Sequence, residues 1–215
     1  MQHRRVGAIA LALAVIVQGT ALAGGPPGPL KDWPCPAPFA DRLTPEALWP
    51  TALPGTVPST ETWKADPKAR AIVEFVASPE NSPRAGTQYI EDFAKANGGI
   101  RPDLAMLVLS GVVERANRMR DILIEGIHTA VVRSHILAGA VQQNDEHLTQ
   151  AQQQPSDDPA GQPEAIRPDE IKKARLANLR SLDNAGDGAD MLCHRYSYDE
   201  SKAKALAAAL QRATL

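Results

Sequence analysis

Apolar positions return at helical spacing through most of this chain. Ala71, Ile72, Phe75 and Val76 share one face of a helix that Asp66-Pro67 would start and Ser78-Pro79 would stop. Ser82-Pro83 repeats the start signal, Tyr89, Ile90, Phe93 and Ala94 follow on one face, and Asn97-Gly98-Gly99 is a C-terminal stop. Arg101-Pro102-Asp103 opens a longer segment, and no proline occurs from Asp103 to Gln154.

Within that segment Leu123, Ile127, Ala130, Ser134, Leu137, Val141, Asn144 and Leu148 alternate steps of four and three. This 3.5-residue seam belongs to a helix packed lengthwise on another. Gly111, Gly126 and Gly139 each cost about 1 kcal/mol relative to Ala in a helix, and they permit a bend or a close approach. A continuous helix from Asp103 to Gln153 would span about 77 Å at 1.5 Å per residue, too long for a compact domain of this size, so part of it should project. Gln152 to Pro168 is polar and rich in proline, which predicts a turn near 154–167. Ile171, Ala174, Asn178, Leu182, Ala185, Ala189 and Leu192 then line a returning helix. Folding the chain about residue 160 sets Leu182 opposite residue 138 and Cys193 opposite residue 127. Tyr196-Ser197-Tyr198-Asp199 reads as an interruption before a last amphipathic helix over 200–213.

The N-terminal quarter differs. Gly24 to Pro58 holds ten prolines in 35 residues, which excludes long helix and central strand. It also carries Trp33, Phe39, Leu43, Leu48, Trp49 and Leu53, apolar groups that a free linker would not need. These residues predict an extended strap lying on the body, with one helical turn at Thr44–Leu48. Before it, residues 1–23 have the form of a cleaved signal peptide: Arg4 and Arg5, a 12-residue apolar run over 6–17, and the small-x-small site Ala21-Leu22-Ala23. The expectation is a periplasmic protein with no integral membrane association after signal cleavage.

Export changes the meaning of the two cysteines. Cys35 and Cys193, 158 residues apart and in no CxxC pair, are expected to form one disulfide. Charge removes a further class of partner. Without residues 1–23 the chain carries 21 basic and 25 acidic residues, a net −4, which gives no electrostatic footprint for nucleic acid.

Candidate chemistry is sparse. There is no GxGxxG, Walker loop, GxSxG or HExxH. Glu114, Asp121, His128, His135 and Gln142 fall seven apart and line one stripe of a helix. Glu125 and His128 form a Glu-x-x-His pair, and the antiparallel fold would bring Asp190 near them. Glu125, His128 and Asp190 are the best metal set the sequence offers, but His128 and His135 lie about 10.5 Å apart along the axis, too far for one ion. The stripe reads mainly as a solvated polar face, and no cofactor is implied. Arg115, Arg118 and Arg120 with Asn117 interrupt the apolar face. They read as surface salt bridges with Glu114 and Asp121, or as an Asn–Arg pair capping a neighbouring backbone, and Asn117 and Arg120 are candidates for interaction. Leu148-Thr149-Gln150-Ala151-Gln152 has the form LTxxQ, which resembles a motif of small periplasmic helical chaperones and metal-resistance sensors.

Several features together resemble an uncharacterised family of exported proteobacterial helical proteins. They are Trp33-Pro34-Cys35, Leu43-Thr44-Pro45-Glu46-Ala47-Leu48-Trp49, Trp63 before Asp66-Pro67, Asn117-x-x-Arg120 followed by Gly126-Ile127, and Cys193 before a final helix. Tyr196 departs from the pattern, which places a proline shortly after the second cysteine. The resemblance implies an architecture and supplies no chemistry.

The sequence thus predicts an all-α fold. Helices near 67–78, 84–97, the first half of 103–153 and 200–213 form a small bundle. A long antiparallel helical hairpin projects from it, and a proline-rich strap over 24–58 wraps it. Residues 59–215 form the helical domain. The function expected is a non-catalytic periplasmic interaction or adaptor protein, not an enzyme, with a protein partner on the hairpin. A periplasmic chaperone or metal-responsive sensor of the LTxxQ type is the alternative.

Overall fold

The computed structural model describes residues 33–49, 51–59, 62–153 and 167–214. The signal peptide expected over 1–23, the start of the expected strap over 24–32, and all of the hairpin turn but Arg167 lie outside them. Among the described residues the fold is all-α, with six helices: α1 Pro45–Leu48, α2 Thr62–Ala65, α3 Pro67–Val76, α4 Pro83–Asn97, α5 Pro102–Gln153 and α6 Pro168–Ala213.

The boundaries follow local chemistry. The Asp66 carboxylate accepts from the Lys68 and Ala69 amides and caps α3, and the Ser82 hydroxyl accepts from the Ala85 amide and caps α4. In each helix Pro follows at the first position, where its missing N–H is not needed. Gly98, at φ 70°, closes α4 in the left-handed region. Thr44 caps the single turn α1.

Burial then assembles the bundle. Trp63, Ile72, Ile90, Met106, Leu109, Leu206 and Leu210 are each at most 1% exposed. They join α2, α3, α4, the first turns of α5 and the last turns of α6 in one core, which Leu43, Leu48 and Trp49 of the strap complete. Burying each such side chain contributes about 1.5–3 kcal/mol. The approach is closest at Gly111, where an added Cβ would lie 2.5 Å from Val73 Cγ2 and 3.0 Å from Trp63. The C-terminal end of α6 is tied back by the Ile100 amide, which donates to the Ala213 carbonyl at 2.8 Å.

α5 and α6 run antiparallel along their length. Arg175 Nε donates to Asp145 Oδ1 at 2.5 Å near the far end of the pair, and Arg120 meets Glu200 at 3.1 Å near the bundle. Both pairs are centred on residue 160, the register expected from the sequence. All eight seam positions from Leu123 to Leu148 are buried or half-buried. On α6 the seam is Ile171, Arg175, Asn178, Leu182, Ala185, Ala189 and Leu192. Arg175 takes the place expected of Ala174, which is exposed, because its guanidinium reaches across to Asp145.

The expected interruption at 196–199 does not occur, and α6 is one helix of 46 residues. The Ser197 hydroxyl donates to the Cys193 carbonyl and Arg195 pairs with Asp199 one turn on. These local bonds keep the polar residues inside the helix. Helix propensity differences of a few tenths of a kcal/mol are small beside the packing of Tyr196, which is 1% exposed.

Beyond Ile127 no residue of α5 is fully buried. Before Cys193 only Ile171, Ala185 and Ala189 of α6 are. That stretch is a two-helix arm, about 39 Å long on the α5 side at 1.5 Å per residue.

Candidate functional site: the arm and the clamp at its base

The strap meets the arm where the arm leaves the bundle. Cys35 and Cys193 are bonded, with Cα atoms 5.1 Å apart, the pairing expected from the sequence. Around the bridge Leu123, Ile124, Ile127 and Tyr196 form a second small core, covered by Trp33, Phe39 and Leu192. Trp33 packs edge-on against both Phe39 and Tyr196, with ring centroids 5.1 and 5.2 Å away. Gly126 makes room for Leu192, whose Cδ1 lies 3.2 Å from where a Cβ would stand.

Past the disulfide the strap is held by its backbone. The Ala40 amide donates to the Tyr196 hydroxyl at 3.0 Å, and that hydroxyl and Arg120 Nε both donate to the Ala40 carbonyl, at 3.1 and 2.7 Å. The Leu43 amide donates to Asn117 Oδ1 at 2.8 Å, and Asn117 Nδ2 donates to the Leu43 carbonyl at 3.0 Å. Extended proline-rich backbone makes no ladder of its own, so helix side chains supply the partners. Further along, Gln211 bonds Thr51 and Ser110 bonds the Pro58 carbonyl.

Arg120 and Asn117 are therefore turned inward, 3% and 8% exposed. Neither is available to a partner at the surface, and the surface salt bridge expected for Arg120 is replaced by a buried one. Its guanidinium bonds the Tyr196 hydroxyl, sits 4.1 Å from that ring's centroid and pairs with Glu200. Burial raises the Glu200 pKa, but hydrogen bonds from Lys204 and Arg120 and their charges outweigh it, leaving the carboxyl below its ordinary range. Asp121 pairs instead with Arg42 of the strap at 3.5 Å, and Arg118 pairs with Glu114 as expected. Arg115 lies over the Trp63 ring.

The polar stripe separates into unrelated parts. Glu114 is drawn into the bundle, accepting from Trp63 Nε1 at 2.7 Å and pairing with Lys64 at 3.1 Å. Burial raises its pKa, and those bonds with the Lys64 and Arg118 charges bring it below the usual value. Glu125, His135 and Asp190 are exposed and His128 is half-buried. Among the described residues no group of three or more His, Cys, Asp or Glu side chains is arranged to hold a metal ion. In the LTxxQ segment Leu148 lies on the seam and the Thr149 hydroxyl donates to the Asp145 carbonyl of its own helix.

Three residues to which the sequence assigns no part in a site matter here. Tyr196 and Glu200 complete the clamp. Lys202, 6% exposed, donates to the Ser78 and Asn81 carbonyls just past α3, and burial lowers its pKa. One signal was available: continued backwards from Leu123, the seam runs through Arg120, Ala116 and Val113, so Arg120 is a charge on a core position.

The arm itself exposes apolar groups. Val132 is 44%, Ile136 67%, Leu176 50% and Met191 70% exposed, and an open concavity runs along α5 beside Ala138, Gln142 and Thr149. No helix among the described residues is long and apolar enough to cross a membrane. Searches against protein-family models, curated proteins and solved structures find no match to this chain.

Proposed function

We propose that this is a non-catalytic interaction or adaptor protein of the periplasm, with the arm as its docking surface for a protein partner. The observation that carries the reading is the arm's unfinished burial. Leu137, Val141, Leu148 and Leu182 are only half-buried by one neighbouring helix, while Ile136, Leu176 and Met191 face outward. An apolar seam left half-covered along a projecting element offers a continuous face to a partner, and helices dock onto such faces through residues at three- and four-residue spacing. The polar side chains at the arm's base are engaged with the strap, which suits a rigid mount. A buried disulfide suits an oxidising compartment, in keeping with the signal-like segment at 1–23 and with the resemblance to exported helical proteins.

Photo-crosslinking in the periplasm tests this. A crosslinker at Ile136 or Leu176 should capture a defined partner, and one at Lys68 on the body should not. Ile136→Lys with Leu176→Lys should abolish co-purification of that partner. Equal capture from arm and body, or capture unaffected by the double variant, would reject the arm as the docking surface.

The alternative is a periplasmic chaperone or metal-responsive sensor, favoured by the placement of His128, His135 and Leu148–Gln152 on the same arm. Submicromolar zinc, copper or nickel affinity lost in His128→Ala, read by calorimetry, would establish that reading over the first.

A further inference from the structure

We infer that the partner on one side of the arm, the side away from Ile136 and Met191, is a second copy of this chain, and that two arms pair antiparallel, face against face, into a four-helix bundle. This rests on reading the arm as a docking surface. In an antiparallel pair, the residue that follows each seam position falls on the same side for both helices, because the reversed helix turns in the opposite sense when viewed from one end. On α6 that side carries Lys172, Leu176, Leu179, Asp183, Gly186 and Asp190, and on α5 it includes His135, Ala138 and Gln142. All but Leu179 are exposed.

The pattern on this side is complementary to its own reverse. A two-fold interface requires that if residue i meets residue j of the second copy, j also meets i. Reversal about residue 181 sets Lys172 against Asp190 of the second copy, and Leu176 over Gly186, where a Cβ would find nothing within 4 Å. Asp183 then falls opposite Leu179. On α5 the matching reversal sets His135 against Gln142 and places Ala138, a small residue, on the axis. The two centres are independent of each other, and they lie at the same height: the α5–α6 register centred on residue 160 puts residue 181 of α6 beside residue 139 of α5.

Available charge and area agree. Asp183 and Asp190 make no ion pair among the described residues, and Lys172 holds only Asp169, 64% and 94% exposed at their side chains. From His128 to Thr149 the side is roughly 33 Å long and roughly 20 Å wide across two helices. It would bury roughly 1,300 Å² in total, within the range of specific interfaces. The pair would hold two bundles at opposite ends of a rod, and exposed charge pairs would make it sensitive to salt.

Sedimentation of the signal-free chain, with its disulfide intact, tests the pairing. The wild type should dimerise, less so at high salt. Lys172→Asp and Asp190→Lys should each be monomeric under conditions where the wild type is dimeric. Mixed together they should form a heterodimer, because both charge contacts are then restored. Ala138→Cys should cross-link to itself across the axis, and Gln143→Cys, on the other side, should not. A wild type that stays monomeric at all concentrations, or a mixture no more associated than its parts, would overturn the proposal. Crosslinking of a different protein to the arm of such a monomer would leave the docking reading standing without it.

Discussion

Asn117 and Leu43, 74 residues apart in sequence, form a closed pair. The amide side chain of Asn117 both accepts from and donates to the backbone of Leu43, at 2.8 and 3.0 Å, in buried surroundings. Replacing Asn117 with Leu would leave a buried N–H and a buried C=O unpaired, each at about 1–3 kcal/mol. The expected loss is at least about 2 kcal/mol in urea unfolding. Asn117→Asp should also destabilise, since a carboxylate accepts from the amide but repels the carbonyl. A loss under half a kilocalorie for Asn117→Leu would show that water substitutes for the side chain.

The disulfide closes a separation of 158 residues. In the chain-entropy description such a loop stabilises by about 5 kcal/mol as an upper figure. Cys35→Ser with Cys193→Ser should lower the urea midpoint strongly. It should also speed hydrogen exchange at the Ala40 and Leu43 amides more than at amides of the bundle, because the strap's remaining anchors lie within a few residues. Uniform acceleration would mean that the bridge supports the whole molecule and not the strap locally.

The arm was legible in the sequence and the clamp was not, for a physical reason. The seam from Leu123 to Leu148 is a local periodicity, and an antiparallel register is fixed by counting back from the turn; Asp145 and Arg175 meet at that register, although the spacing puts Ala174 and not Arg175 on the seam. The partners of Asn117 and Arg120 lie on a strap 74 to 80 residues earlier, and no local pattern names them. The capping reading of Asn117 had the right chemistry without the address. The expected break at 196–199 came from weak helix formers, whose propensity yields to the packing of Tyr196 between Trp33 and Arg120. Glu114 was read as solvated because it belongs to a polar stripe, but Trp63, whose position against α5 depends on Gly111, turns it inward.

Gly111 and Gly188 should respond oppositely to alanine. Each replacement removes the helix cost of glycine, about 1 kcal/mol. At Gly188 a Cβ meets nothing within 4 Å, so Gly188→Ala should raise stability by nearly that amount. At Gly111 a Cβ would stand 2.5 Å from Val73 Cγ2, and overpacking costs about 1–3 kcal/mol, so Gly111→Ala should lower stability. Thermal unfolding of the two variants beside the wild type decides it. Stabilisation by both would mean that α3 shifts away from α5 at little cost.

Acid should weaken the bundle through Glu114 and Glu200. Both carboxyls lie below their ordinary pKa of 4.5 in the folded chain, held there against burial by Trp63 and Lys64 in one case and by Lys204 and Arg120 in the other. The unfolded chain binds protons more readily at these sites, so the sign is fixed: their contribution is fully present above the unfolded value and is lost as pH falls through the folded one. Stability should therefore be level from neutral pH down to about 5 and decline below it. Glu114→Gln keeps an acceptor for Trp63 Nε1 but no longer titrates. It should be less stable than the wild type at neutral pH and lose less on acidification, so that the two stability curves converge toward acid pH. Tryptophan emission during urea unfolding at a series of pH values reads both, since Trp63 is the donor to that carboxylate. Parallel curves for the two proteins would place the acid sensitivity elsewhere and leave the Trp63–Glu114 bond without a charge-dependent role.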